Sequence, residues 1–298
     1  MRITGRMMTD GFMQNLRTNL RNLDSVQRRM ASGTEVSKPS DDPVKLQQIL
    51  KLDTALDQRD QYIRNIDDAN SWLTASDSAL DQVGTELGGR IIELGTNGLN
   101  GTNSQEDMNA MAAEVGQLME HLGEVANTVY VGRYVFAGSD TSHQPYNVQA
   151  PPAGAATTFT GLTNSLEYEV GQGVTMKVNT TGQDAFGGTE LFDALEQLRQ
   201  GMLTDNKDQI GQATDRLEKS NNTLLTARAD IGARMNRLDA TKTRYEDDIF
   251  NLTALKSQAE DVDTAQVVME LQMQESVYQA SLAAGARIMQ PSLLDYLR

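Results

Sequence analysis

Apolar side chains near both ends of this chain recur on alternating spacings of three and four. Only an α-helix turns that period into one face. Met13, Leu16, Leu20, Leu23 and Met30 form such a row near the start, interrupted only at Gln27. Toward the other end Leu217, Leu224, Ile231, Leu238, Tyr245 and Leu252 recur every seven residues. Stripes of this kind predict helices that bury a seam against a helical partner. The pattern leaves open whether that partner lies in the same molecule, in a neighbour, or in both.

The first helix is expected from about Asp10 to Ala31, stopping at Ser32-Gly33, where glycine takes the left-handed C′ conformation. After a linker with Pro39, Asp42 reads as an N-cap and Pro43 as the first helical residue. Leu52, Leu56, Ile63, Ile66, Leu73, Leu80, Leu87, Ile91 and Leu94 then keep one frame. A helix of about 50 residues is ~75 Å long, more than one globular core needs. Asn97-Gly98 and Asn100-Gly101 are turn dipeptides, and Ser104 with Asp107 makes a capping box. Met108, Met111, Val115, Leu118, Leu122, Val125 and Val129 define the next helix, folded back antiparallel and ended by Gly132.

Between Arg133 and Gly188 the period changes to two. Leu166, Tyr168 and Val170, then Val174, Met176 and Val178, alternate with polar residues around Gly171-Gln172-Gly173. That predicts a hairpin with a three-residue loop. Short strands at Tyr134 to Ala137 and Thr157 to Thr160 would complete a small β unit, with Pro151-Pro152-Ala153-Gly154 as a surface loop. Helix resumes at about Glu190, breaks near Thr204-Asp205-Asn206 and continues to about Lys256. Ser257 to Asp263 reads as a hinge. A last helix carries Val268, Leu271, Tyr278, Leu282 and Met289, and Pro291 leads into Leu293, Leu294, Tyr296 and Leu297.

The fold class is therefore mainly α with a small β insertion: a long antiparallel helical bundle or coiled coil formed by the two terminal regions, with a central β-rich knob. Three parts are expected. Residues 1–40 with 258–298 form a terminal helical pair, 41–132 with 189–257 a long helical rod, and 133–188 a small β domain.

Composition narrows the partners. A net charge of −15 disfavours nucleic acid, because phosphate binding needs clustered Lys and Arg, and an anionic membrane is disfavoured equally. No apolar run is long enough to span a bilayer, and no apolar segment follows Arg2 and Arg6 as in a secretory signal peptide. Residues 1–31 hold six Arg against Asp10 and Asp24, +4, whereas 258–298 hold two Arg against six acids, −4. Opposite signs favour pairing of the two ends. There is no cysteine, consistent with a protein that needs no disulfide or thiolate site, or one exported as an unfolded chain.

Catalytic chemistry finds little footing. The two histidines are His121, on a helix surface, and His143, in a turn with Ser139 and Asp140 that is too local for a triad. No zinc motif or calcium loop is present, and Gly88-Gly89 and Gly187-Gly188 lack the lysine and setting of a phosphate loop. Neither an enzyme nor a cofactor or metal site is expected.

Particular residues resemble a known family. Met30-Ala31-Ser32-Gly33 with Lys38-Pro39-Ser40-Asp41-Asp42-Pro43 is similar to the N-terminal signature of flagellin-type proteins. Arg228-Ala229-Asp230-Ile231-Gly232-Ala233-Arg234, Asp261-Val262-Asp263, Tyr278-Gln279-Ala280-Ser281-Leu282 and Gln290-Pro291-Ser292-Leu293-Leu294 resemble its C-terminal half. Within the family, Met1-Arg2-Ile3-Thr4, Pro43 after the paired acids, and Val178-Asn179-Thr180-Thr181-Gly182-Gln183-Asp184 resemble the branch that joins hook to filament.

The resemblance implies a non-enzymatic structural subunit of the bacterial flagellum, secreted by type III export without a cleaved signal. It implies a ring of identical subunits seated on hook-associated protein 1 and seeding flagellin, with a cytoplasmic export chaperone holding the C-terminal helix beforehand. The expected assembly contacts are Met13, Leu16, Leu20, Leu23, Met30, Val268, Leu271, Tyr278, Leu282, Met289, Leu293, Leu294 and Leu297. Met13, Leu16, Leu20 and Leu23 are expected to meet Leu271, Tyr278 and Leu282. The alternatives are a short flagellin forming the filament itself, a coiled-coil signalling module, and a carbohydrate-binding or hydrolytic function in residues 133–188.

Overall fold

The computed structural model describes residues 5–147 and 157–288. Helix α1 (Gly5–Ser32) is followed by α2 (Pro43–Thr85), a π-helical segment (Glu86–Ile91), α3 (Ile92–Gly98) and α4 (Gln105–Ala126). Among the described residues six strands follow: β1 (Val129–Tyr130), β2 (Arg133–Tyr134), β3 (Tyr146–Asn147), β4 (Thr158–Phe159), β5 (Glu167–Gly171) and β6 (Val174–Lys177). The chain closes with α5 (Gly182–Phe186), α6 (Glu190–Leu203), α7 (Lys207–Glu260) and α8 (Thr264–Ile288). It is a mainly α protein with a small β insertion, and it divides into two compact units. One comprises the chain up to Gln58 and from Asp247 onward; the other is Arg59–Glu246.

Local chemistry sets the helix ends. Asp42 Oδ1 accepts from the Val44 and Lys45 amides at 2.9 and 3.0 Å, capping α2. Ser104 and Asp107 close a reciprocal capping box on α4. Gly33 ends α1 at φ +70. The long helix expected through Leu94 is continuous in direction of chain but passes through the π segment, where Leu87 and Ile91 are buried and Gly88 and Gly89 exposed. Helix α4 ends at Ala126, with Asn127 as C-cap, earlier than Gly132. Val129 accordingly lies in β1 and is exposed rather than on a helical seam.

The second unit has one continuous core. Leu73, Leu80, Leu87, Ile91 and Leu94 meet Val115, Leu122, Leu198, Leu217, Leu224, Ile231 and Leu238 in it. Glycines bring α7 close: a β-carbon at Gly84 would meet Leu224, one at Gly95 would collide with Thr214. The β residues join the same core, through Val135, Phe136, Tyr146, Val170 and Met176.

The strands form three separate antiparallel pairs, β1-β2, β3-β4 and β5-β6. In β5-β6, Gly171 pairs with Val174, so the loop is the two residues Gln172-Gly173 and not three. The register shifts between Glu169 and Gly171, and Val170 between them is buried. The strands near Tyr134 and Thr158 are only two residues long. The surface loop expected at 151–154 lies outside the described residues.

Tyr146 is central to this region, packing at 4.9–5.8 Å from the rings of Phe159, Phe192 and Phe186. Its hydroxyl donates to the Gly188 carbonyl at 3.1 Å, and burial pushes its phenol up, so it stays neutral. Helix α5, unforeseen in the sequence, is capped by a Thr181–Asp184 box and ended by Gly187 at φ +67.

Candidate assembly surface

The terminal helices α1 and α8 pack against each other within the first unit. Their contacts run antiparallel. Gly285 faces the ring of Phe12, Asn19 Nδ2 donates to Ser281 Oγ at 2.8 Å, and Arg29 pairs with Glu270 at 2.6 Å. Among the half-buried or buried positions on α1, Phe12, Leu16, Asn19, Leu23 and Val26 are spaced four, three, four and three. Among those on α8, Val267, Leu271, Gln274, Tyr278, Ser281 and Gly285 again alternate four and three. That is a coiled-coil seam.

Asp263 caps α8 by accepting from Ala265 and Gln266. The segments before and after the pair are tied together: Glu35 N donates to Glu260 O at 2.7 Å and Val262 N to Gly33 O at 3.1 Å. The break between α7 and α8 is consequently shorter than the expected 257–263, and it is laced to the strand-like residues after α1 through a Thr34–Asp261 bridge.

The seam differs by one residue from the row read in the sequence. Leu16, Leu23, Leu271 and Tyr278 lie in it, but Met13 is 40% and Leu20 50% exposed, and Met30, Val268 and Leu282 are exposed too. Phe12, Asn19 and Val26 take the seam positions instead. At the close end of the pair the Phe12 ring fills the space beside Gly285, and Asn19 hydrogen-bonds Ser281, which sets this register. With Val26 in the row, the interruption at Gln27 disappears. The expected contacts Met289, Leu293, Leu294 and Leu297 lie outside the described residues.

What the seam leaves outside is apolar. Met7, Met8, Met13, Leu20 and Met30 on α1, and Val268, Met269, Met273, Val277 and Leu282 on α8, all stand exposed. A pair of helices already joined along one seam thus carries further uncovered apolar side chains on both members, many of them the adaptable methionine. Such a surface is open to further burial against a partner.

Elsewhere the sites that sequence considered for chemistry are turns and helix surfaces. His143 Nδ1 lies 2.9 and 3.0 Å from the oxygens of Asp140, whose carboxyl it holds below the usual range, within an exposed turn. His121 sits 3.0 Å from Glu86 on the surface of α4. Among the described residues no group of three His, Cys, Asp or Glu could hold a metal ion, and no helix is long and apolar enough to cross a membrane.

Comparison with known proteins gives this geometry a context. Residues 3–141 match the bacterial flagellin N-terminal helical region, and residues 214–297 match the bacterial flagellin C-terminal helical region. The chain belongs to the flagellin family. Its α1 and α8 are therefore the outermost parts of the two helical regions that define flagellins. The chain is 26% identical over 310 residues to flagellar hook-associated protein 3 of Escherichia coli, spanning 95% of this chain and 96% of that protein. It is 25% identical over 289 residues to the flagellin of Halalkalibacterium halodurans, spanning 96% and 95%. The solved flagellar junction protein FlgL of Legionella pneumophila shares the fold, with a TM-score of 0.61 at 15% identity over 72% of this chain and 99% of that one. This member of the flagellin family is a flagellar structural protein involved in motility.

Proposed function

We propose that this chain is the adaptor between hook and filament, a ring of identical subunits seated on hook-associated protein 1 and seeding flagellin polymerisation. In this role it is no enzyme; its work is to present one surface to the subunits below and another to those above. The observation that carries the reading is the uncovered apolar surface of the α1–α8 pair, from Met13 and Leu20 to Met273 and Leu282. Exposed stripes on paired helices belong to a subunit whose ends are completed by neighbours. Similarity over nearly the whole length to a hook-associated protein 3 supports the adaptor.

On this reading the subunit works outside the cell, at the hook–filament junction, after type III export as an unfolded chain. A cytoplasmic export chaperone shields α8 before export. The assembly contacts are Met13, Leu20, Met30, Val268 and Leu282 on the open surface, with Leu16, Leu23, Leu271 and Tyr278 holding the pair together. Deleting residues 264–298 tests it: the truncated protein should keep its second unit folded, yet fail to restore motility to cells lacking the full chain. Restored motility would remove the role assigned to this end.

The second reading is a short flagellin that forms the filament itself, favoured by the full-length similarity to a flagellin. Purified full-length protein separates the two. Long filaments formed by this chain alone would establish the flagellin, whereas an adaptor stays short without added flagellin.

A further inference from the structure

Among the described residues every exposed methionine lies on the terminal pair: Met7, Met8, Met13 and Met30 on α1, Met269 and Met273 on α8, between 40% and 67% accessible. The second unit also carries methionine, but exposes none. Met108, Met119, Met176 and Met202 are buried, and Met111 and Met235 half-buried. There the flexible thioether fills a core; on α1 and α8 it faces solvent. Met269, Met273 and Val277 follow one another at spacing four, a row on α8 that stands outside the seam of Leu271, Gln274 and Tyr278.

The sequence contains no cysteine, so no thiolate competes with these sulfurs for an oxidant. Hydrogen peroxide needs only access to them. A sulfur lone pair attacks one peroxide oxygen, the O–O bond breaks, an S–O bond forms, and after proton transfer a water molecule leaves. The thioether is oxidised to the sulfoxide and the peroxide is reduced to water. Burial withholds that access from the second unit. On α1 and α8 the product sets a strong hydrogen-bond acceptor where an apolar side chain stood. Taking such an acceptor out of water is costly unless a donor meets it, so each sulfoxide opposes burial of this surface against a partner.

We propose that the exposed methionines of α1 and α8 are an oxidation site, through which peroxide closes this surface to assembly while the second unit stays folded. The inference rests on the reading of the open surface as an assembly contact, and it adds the regulation of that contact. None of these methionines is a seam residue, so the α1–α8 pair itself survives their modification. The reactive sulfurs lie on the surface that partners cover, so an assembled subunit hides what a free one exposes. Methionine sulfoxide reductases return the sulfoxide to the thioether, which makes the block reversible.

The first arm of the test treats purified full-length protein with dilute hydrogen peroxide and maps sulfoxides by peptide mass spectrometry. Met13, Met30, Met269 and Met273 should oxidise at least about tenfold faster than Met108, Met119, Met176 and Met202. Equal rates overturn the inference. The second arm puts glutamine, unbranched and polar like the sulfoxide, at both α8 positions in cells lacking the wild-type chain. Met269→Gln with Met273→Gln should restore at least about tenfold less motility than Met269→Leu with Met273→Leu, while hydrogen exchange over α1 is alike in the two proteins. Faster exchange over α1 in the glutamine protein would assign the loss to the seam, and the proposal would fail. Leu20→Glu in the same cells tells the two readings apart. If it loses motility while the glutamine pair restores as much as the leucine pair, the surface assembles and only its control by oxidation is wrong. If neither loses motility, the open surface is no assembly contact and the inference falls with that reading.

Discussion

The ring of Phe12 occupies the space that a side chain on Gly285 would need, so α1 and α8 touch where one of them has no side chain at all. Gly285→Ala sets two effects against each other. Alanine favours the helix by roughly 1 kcal/mol over glycine, but overpacking a close contact typically costs about 1–3 kcal/mol. The collision is with a ring, not the end of a flexible chain, so the second effect should win. Hydrogen exchange over residues 12–26 should quicken while residues 59–246 are unchanged. Slower exchange over α1 would mean that the helices do not meet at this register.

Tyr245 links the hairpin to the long helices of the second unit. Its hydroxyl donates to the Val170 carbonyl at 2.8 Å, its ring stacks on Tyr62 at 5.7 Å, and Arg59 and Arg244 lie 5.4 and 5.2 Å from its centre. Tyr245→Phe removes one buried hydrogen bond and should cost about 1 kcal/mol in urea unfolding. Tyr245→Ala also loses the ring and should cost roughly 3–5 kcal/mol. Equal losses for the two variants would place the whole effect in the hydroxyl and none in the stacking.

The long helices were legible because their period is set by burial, and burial dominates the sequence of α2, α4 and α7. The seam of α1 and α8 was legible only to within one residue. Leucine and methionine stand both in the seam and on the open surface, and the residues that decide the register are Asn19, Ser281 and Gly285, which carry no hydrophobic signal. The β1-β2 turn went unread because Val131-Gly132 lacks the Asn-Gly signature of its geometry, so Gly132 looked like the end of a helix. Helix α5 did carry a signal, Thr181 three residues before Asp184 and Gly187 after Phe186, but five residues are too few to show a period.

Gly33 both ends α1 at φ +70 and offers its carbonyl to Val262 N, so one residue fixes the exit of α1 and the entry to α8. No atom stands near a β-carbon there, so Gly33→Ala tests conformation rather than space. An L-residue held in the left-handed region costs about 1–2 kcal/mol. Proteolysis within residues 32–36 and 260–263 should quicken together, since the two segments are hydrogen-bonded to each other. If only 32–36 becomes sensitive, the lacing contributes nothing to the second segment.

Glu196 and Arg199 make an enclosed ion pair, one turn apart on α6. Both carboxylate oxygens accept from the guanidinium at 2.7 Å, and Arg199 is buried. The hydrogen bond from Arg199, above all, and that from Gln200 hold the Glu196 carboxyl below its ordinary value of 4.5, against the opposing effect of burial. A carboxyl depressed in the folded state contributes stability that is fully present above 4.5 and is lost as pH falls through the lower folded value. Glu196→Gln should therefore lower the melting temperature at pH 7, because a buried guanidinium keeps only a neutral acceptor. As pH drops below 4.5 the wild type loses the same interaction, so the gap should shrink and close. Melting followed by circular dichroism from pH 7 to about 3 measures this. A gap that stays constant across the range would assign the loss to the altered shape of the side chain and not to its charge.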